Sequence, residues 1–199
     1  METDINMDYL TAVKSLENGD FSSCIDYFRE DNCPLEYAYA LVLAGKLEDA
    51  QKILVDIDSV RADWLLKLID IFNGIYNICP SYFQIRNFLE IDIDIFFKAK
   101  RIEYVNALLR MVDVFQDINS ETYKCIARVL LKNGYKNECK IFLDKSADDN
   151  YNDVELQYLY VEYYLALQDY ENARKRVDIC ISINPEYYPA KRTKQILAK

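Results

Sequence analysis

Three carboxylates at alternating positions, Glu90, Asp92 and Asp94, and an adjacent pair, Asp148-Asp149, are the residues whose type and spacing could serve acid–base or metal chemistry. General acid–base work needs a carboxylate beside a base or nucleophile, and phosphate chemistry needs a glycine-rich loop. Neither set has such a companion. The first three would spread around a helix, and Asp148-Asp149 would lie in a polar connection with Ser146 and Asn150, so both sets read as solvated acids. The chain has no histidine, and none of its six cysteines (Cys24, Cys33, Cys79, Cys125, Cys139, Cys180) forms a C-x-x-C. Zinc, haem and Cys–His nucleophile sites need imidazole or closely spaced thiolates. The expectation is therefore no catalytic residue, no metal and no cofactor. Cys24, Cys139 and Cys180 stand where small apolar residues pack helices, and they are expected as buried thiols of a reducing compartment.

The elements that would carry any site must be helices. Hydrophobic residues make up 51% of the 199 positions, enough for a sizeable core, while glycine and proline number four each. That is too few turns for a β-sandwich. No run of 18 uncharged apolar residues offers a membrane span. The N-terminus, METDINMDYL, carries acids where a secretory leader needs a basic flank, so a cytoplasmic protein is expected. Residues 1–60 hold 13 of the 33 acids and 4 of the 24 bases, which accounts for the whole net charge of −9. A net acidic chain without a basic tract is a poor match to nucleic acid, whose phosphates need neutralising.

Helical spacing runs through most of the chain. Apolar positions predict helices over 7–17 and 21–29, with Asn18-Gly19 closing the first and Asp20 capping the second. Further helices are expected over 35–44, closed by Gly45, over 47–57, and over 61–78. The stretch 90–97, EIDIDIFF, alternates like a strand. It lies inside a longer apolar segment flanked by helices, where a lone strand would leave its backbone groups unpaired, so a helix is expected. The C-terminal AKRTKQILAK reads as a basic amphipathic helix capping the end of the fold, with Pro189 in its first turn.

A period emerges in the second half. Phe96, Leu130 and Tyr164 are 34 residues apart, as are Val105, Cys139 and Ala173, with Leu109, Leu143 and Val177 one helical turn further on. Together with Tyr123, Ile126, Ala127, Gly134 and Pro185, these positions resemble the tetratricopeptide repeat. Tyr37, Ala38, Gly45, Ala50 and Leu54 follow the same pattern, as do Ala12, Gly19, Cys24 and Phe28 more loosely. The departures are Gln157, Tyr160 and Val161 where that family prefers Trp, Leu and Gly, and Asp92 in place of a leucine. The resemblance implies an all-α, right-handed superhelical solenoid of antiparallel helix pairs with about 11–12 helices in a single domain. Degenerate repeats would span 5–58, a divergent middle 60–85, regular repeats 86–187 and a capping helix 188–199.

The resemblance also implies where a ligand would sit. In such arrays the first helix of each pair lines a concave face that takes a peptide or protein. The expected stripe is Glu90, Asp94 and Phe97, then Lys124, Arg128 and Leu131, then Tyr158, Glu162 and Leu165. Asn87, Glu121 and Glu155 stand at the head of each set. The lysine–asparagine clamp for a C-terminal carboxylate is not reproduced, because Glu155, Tyr158 and Glu162 occupy its places. The function expected is a non-catalytic scaffold or adaptor binding a protein or peptide. The alternative is a secretion-type or assembly chaperone holding an exported or unassembled partner.

Overall fold

A computed structural model of the chain describes residues 8–198. All regular secondary structure among them is helical, and the chain divides at Asn119/Ser120 into two compact units. The first holds α1 (Tyr9–Glu17), α2 (Phe21–Glu30), α3 (Pro34–Leu43), α4 (Leu47–Leu54) and α5 (Val60–Phe72). There follow α6 (Tyr82–Gln84), a π-helical stretch (Ile85–Leu89) and α7 (Glu90–Lys98), which run on without a break, then α8 (Ile102–Leu109) and α9 (Val112–Ile118). The second holds α10 (Thr122–Lys132), α11 (Lys136–Asn150), α12 (Val154–Ala166), α13 (Tyr170–Ile183) and α14 (Tyr188–Leu197). With α6 and α7 counted once, the described residues form thirteen continuous helices, not 11–12.

Three boundaries differ from expectation, each for a local reason. The helix expected over 61–78 stops at Phe72, where Gly74 turns left-handed (φ 82°) and the Ile75 N–H bonds back to the Asp70 carbonyl at 2.9 Å. The additional helix is α9, which breaks from α8 at Arg110-Met111 and lays the fully buried Phe115 against Trp64, ring centroids 6.4 Å apart. Asp148-Asp149 belong to the last turn of α11 rather than to a connection. The alternating stretch 90–97 is helical, as its flanks required.

One turn design joins the helix pairs. The residue after the first helix is left-handed: Gly19, Gly45, Lys100, Gly134 and Gln168, with φ from 58° to 86°. The next N–H then reaches back five residues, Asp20 to Ser15, Lys46 to Leu41, Arg101 to Phe96, Tyr135 to Leu130 and Asp169 to Tyr164, at 2.8–2.9 Å. This is the six-to-one bond that satisfies a carbonyl left over at a helix end. The last three acceptors are the triplet spaced by 34 in the sequence. At these joints Asp169 (ψ 77°) accepts from the Asn172 N–H at 3.1 Å and caps α13, whereas Asp20 (ψ 70°), expected as a cap, directs its carboxylate to no backbone group of α2. It accepts instead from the Ser22 hydroxyl at 3.0 Å.

Small residues at the periodic positions let the helices close. Ala12, Cys24, Ala38, Ala50, Cys139, Ala173 and Cys180 are all fully buried. Consecutive helices pack on one another from α1 to α8 and from α10 to α14, and α10 also touches α12 directly. Ala173 lies in a cluster with Val161, Val177, Cys180 and Ala190. Ala173→Phe is expected to overpack this cluster and cost about 1–3 kcal/mol; an unchanged melting temperature would place Ala173 outside the core.

Candidate functional site

The helix contact between α10 and α12 creates a groove of about 380 Å³ lined by Arg128, Leu131, Lys132, Leu159, Glu162 and Leu165. Four of the nine residues expected to bind a partner, Arg128, Leu131, Glu162 and Leu165, meet here. Helical spacing explains the convergence. Arg128 and Lys132 stand one turn apart on α10, and Glu162 and Leu165 stand on neighbouring turns of α12. Lys132 and Leu159 were missed, although Lys132 was legible as the next turn after Arg128. Leu159 is buried and forms part of the floor; Leu131 and Leu165 are half-buried, and Arg128, Lys132 and Glu162 are exposed. Loss of water inside the groove raises the Glu162 carboxyl above its usual value, while the charge of Arg128 pulls it back. The groove thus combines leucine side chains that have not found full cover with charges of both signs.

Lys124 and Tyr158 do not line this groove; each is engaged by another element of the second unit. Lys124 is only 5% exposed, and its ammonium is bound by Asp153, the N-cap of α12, and by Glu121, with Glu155 at 3.5 Å. Burial opposes its charge, but the hydrogen bonds to Asp153 and Glu121 outweigh that and raise its pKa. Burial would likewise raise the Asp153 carboxyl, yet Lys124 and the N–H groups of Glu155 and Leu156 hold it below its usual value. A carboxyl lowered by folding stabilises the fold above its unfolded pKa, and the contribution is lost as pH falls through the lowered value. Tyr158 is drawn under the C-terminal helix, its hydroxyl 3.0 Å from Thr193 and its ring edge-on to Tyr187. Helix α14 packs on α13 and buries Ala190 in the cluster around Ala173. In the first unit, Asp94 is 9% exposed and pairs with Lys98 at 3.0 Å, and Glu90 and Phe97 are half-buried on α7.

Asp92 overturns the reading of its carboxylate set as solvated. It is fully buried and takes a two-pronged contact from Arg61 (2.6 and 2.7 Å), with Tyr39 hydroxyl and Trp64 Nε1 each donating at 2.6 Å. The guanidinium lies between the Tyr39 and Phe88 rings, 4.9 and 4.7 Å from their centroids. Burial works against the Arg61 charge, but Asp92 outweighs it and drives its pKa upward. Every oxygen of Asp92 is occupied by a donor held in the core, so it is an internal counter-ion with no room for a substrate. The buried thiols of Cys24, Cys139 and Cys180 are pushed up by burial to about 11, about 12 and about 11. Such thiols stay protonated and unreactive near neutral pH. Among the described residues no group of three or more acids or thiols converges as metal ligands, and no helix is long and apolar enough to cross a membrane.

No known protein family, curated protein or solved structure matches this chain.

Proposed function

We propose that this chain is a non-catalytic scaffold of tetratricopeptide-like helix pairs that binds a protein or peptide partner in the α10/α12 groove. The groove carries the proposal: Leu131, Leu159 and Leu165 lie beside Arg128, Lys132 and Glu162, so a partner can gain apolar burial and charge pairing in one place. The recurrence of one left-handed turn at Lys100, Gly134 and Gln168 supports the repeat reading, since an identical joint every 34 residues is what a stacked array requires. The buried thiols of Cys24, Cys139 and Cys180, which form no disulfide, support a reducing, cytoplasmic setting.

The double substitution Arg128→Glu with Leu131→Ser tests the site. It removes an apolar contact and reverses a charge on partly exposed positions, so the fold is retained. Partners recovered from native lysate by the wild-type chain are expected to be lost by this variant, with its circular dichroism unchanged. Recovery of every partner by the folded variant would place the binding surface elsewhere.

A further inference from the structure

A second surface, in the first unit, is built by the π-helical stretch. Phe83 and Phe88 are five residues apart, a separation that an α-helix carries well round its barrel. The i→i+5 bonding of a π-helix brings such a pair nearly into line. Their rings meet edge-on with centroids 5.9 Å apart. Phe88 covers the Arg61 guanidinium, and Phe83 remains 54% exposed. The Gln84 side chain donates to the Val60 carbonyl at 3.3 Å, which docks the first turn of α6 on the start of α5. Val60, 52% exposed, directly precedes Arg61, and Ile91, 56% exposed, follows Phe88 by three residues, so both add exposed apolar side chains next to the Arg61–Phe88 contact.

The charges around it are unequal. Arg61 is bound to Asp92, Lys67 is bonded to Asp63, and Arg86 turns onto the Tyr82 ring with its Nη1 3.3 Å from the hydroxyl. The cations bordering the patch are thus engaged within the fold. Asp56 and Asp58, in the exposed turn that leads into Val60, pair with no cation among the described residues. The whole unit is acidic as well: residues 1–119 carry 21 acids and 11 bases, net −10, against 12 acids and 13 bases in the remainder.

We infer that Phe83, Val60 and Ile91, with Asp56 and Asp58 at their edge, dock a cationic amphipathic helix from a protein partner. The chemistry selects that class. Exposed aromatic and branched side chains offer burial to an apolar stripe, and unpaired carboxylates beside them favour lysine or arginine on its border. The described residues present no sheet edge, so an extended segment would find no backbone partners, whereas a helix arrives with its own bonds made. The site is distinct from the α10/α12 groove and does not depend on it.

A fluorescein-labelled Leu/Lys amphipathic helix, followed by fluorescence anisotropy on the full chain, is the probe. It is expected to bind more tightly than a scrambled peptide of the same composition, and less tightly as salt rises. Phe83→Ser and Asp58→Lys are each expected to weaken binding about tenfold. Glu48→Lys makes the same change of net charge at an exposed position of α4 and is expected to leave affinity within about twofold. The groove variant Arg128→Glu/Leu131→Ser is expected to bind the probe like the wild type. The inference is overturned by unchanged affinity in Phe83→Ser, by an equal loss in Glu48→Lys, by equal binding of the scrambled peptide, or by loss only in the groove variant. Sedimentation velocity gives an independent reading: a self-associated species that Phe83→Ser dissolves would assign the patch to a second copy of the chain and overturn it too.

Discussion

Asp92→Leu is expected to destabilise the first unit by about 3–5 kcal/mol, a large share of what holds a domain of this size together. The substitution removes one carboxylate and strands three donors. The Arg61 guanidinium loses both hydrogen bonds to the carboxylate, and the buried Tyr39 hydroxyl and Trp64 Nε1 lose their acceptor. An uncompensated buried cation is the costly part; a well-made buried pair gives little net stability over apolar packing. Arg61→Leu should therefore cost a similar amount by stranding the anion. The double variant Arg61→Leu/Asp92→Leu should lose clearly less than the sum of the two, because it leaves no buried charge. Trp64 is the only tryptophan in the chain, so its emission during urea unfolding reports on this unit. Additive losses would mean that Arg61 and Asp92 act independently, contrary to their two-pronged contact.

That site also marks where sequence reading succeeded and where it stopped. Of the nine positions spaced by 34, Phe96, Leu130, Val105, Cys139, Ala173, Leu143 and Val177 are buried, while Tyr164 and Leu109 are half-buried. Extended to Asp92, the same register reaches Ile126 and Tyr160, both 1% exposed, so the carboxylate was legible as a core position. Its acid–isoleucine alternation pointed to solvent, and nothing local names the counter-ion, because Arg61 lies 31 residues upstream on another helix. Periodicity reports which face a residue occupies and is silent about which charge meets it there. Lys124 shows the same limit. Its stripe position on α10 pointed to a partner, but the cap residue Asp153 captures its ammonium, which leaves Arg128 and Leu131 to line the groove. The turn at Gln168-Asp169 was legible in the sequence, but its left-handed backbone and that of Lys100 were not: neither is glycine, so only the structure shows that they match Gly134.

Those joints give the other large effect. Gly19→Ala is expected to cost about 3 kcal/mol, from two sources that the structure separates. The first is conformational: at φ 76° a β-carbon crowds its own backbone, which costs about 1–2 kcal/mol. The second is contact. A β-carbon on Gly19 would stand 2.4 Å from the Ala99 nitrogen and 2.6 Å from the Lys98 carbonyl carbon, both backbone atoms that cannot swing aside. Here the α1–α2 turn rests on the end of α7, where Lys98 Nζ also donates to the Glu17 carbonyl at 3.1 Å. Gly134 has nearly the same backbone (φ 86°) and nothing within 4 Å of where its β-carbon would be, so Gly134→Ala carries the first cost alone. Lys100→Gly runs the comparison in reverse: it releases the strain of a left-handed lysine (φ 58°) and is expected to stabilise by up to about 1 kcal/mol. Urea unfolding of the three variants should therefore give a large loss, a small loss and a gain. Equal losses for Gly19→Ala and Gly134→Ala would show that the α1–α2 turn does not rest on Ala99, and that the first helix pair is held by its side chains alone.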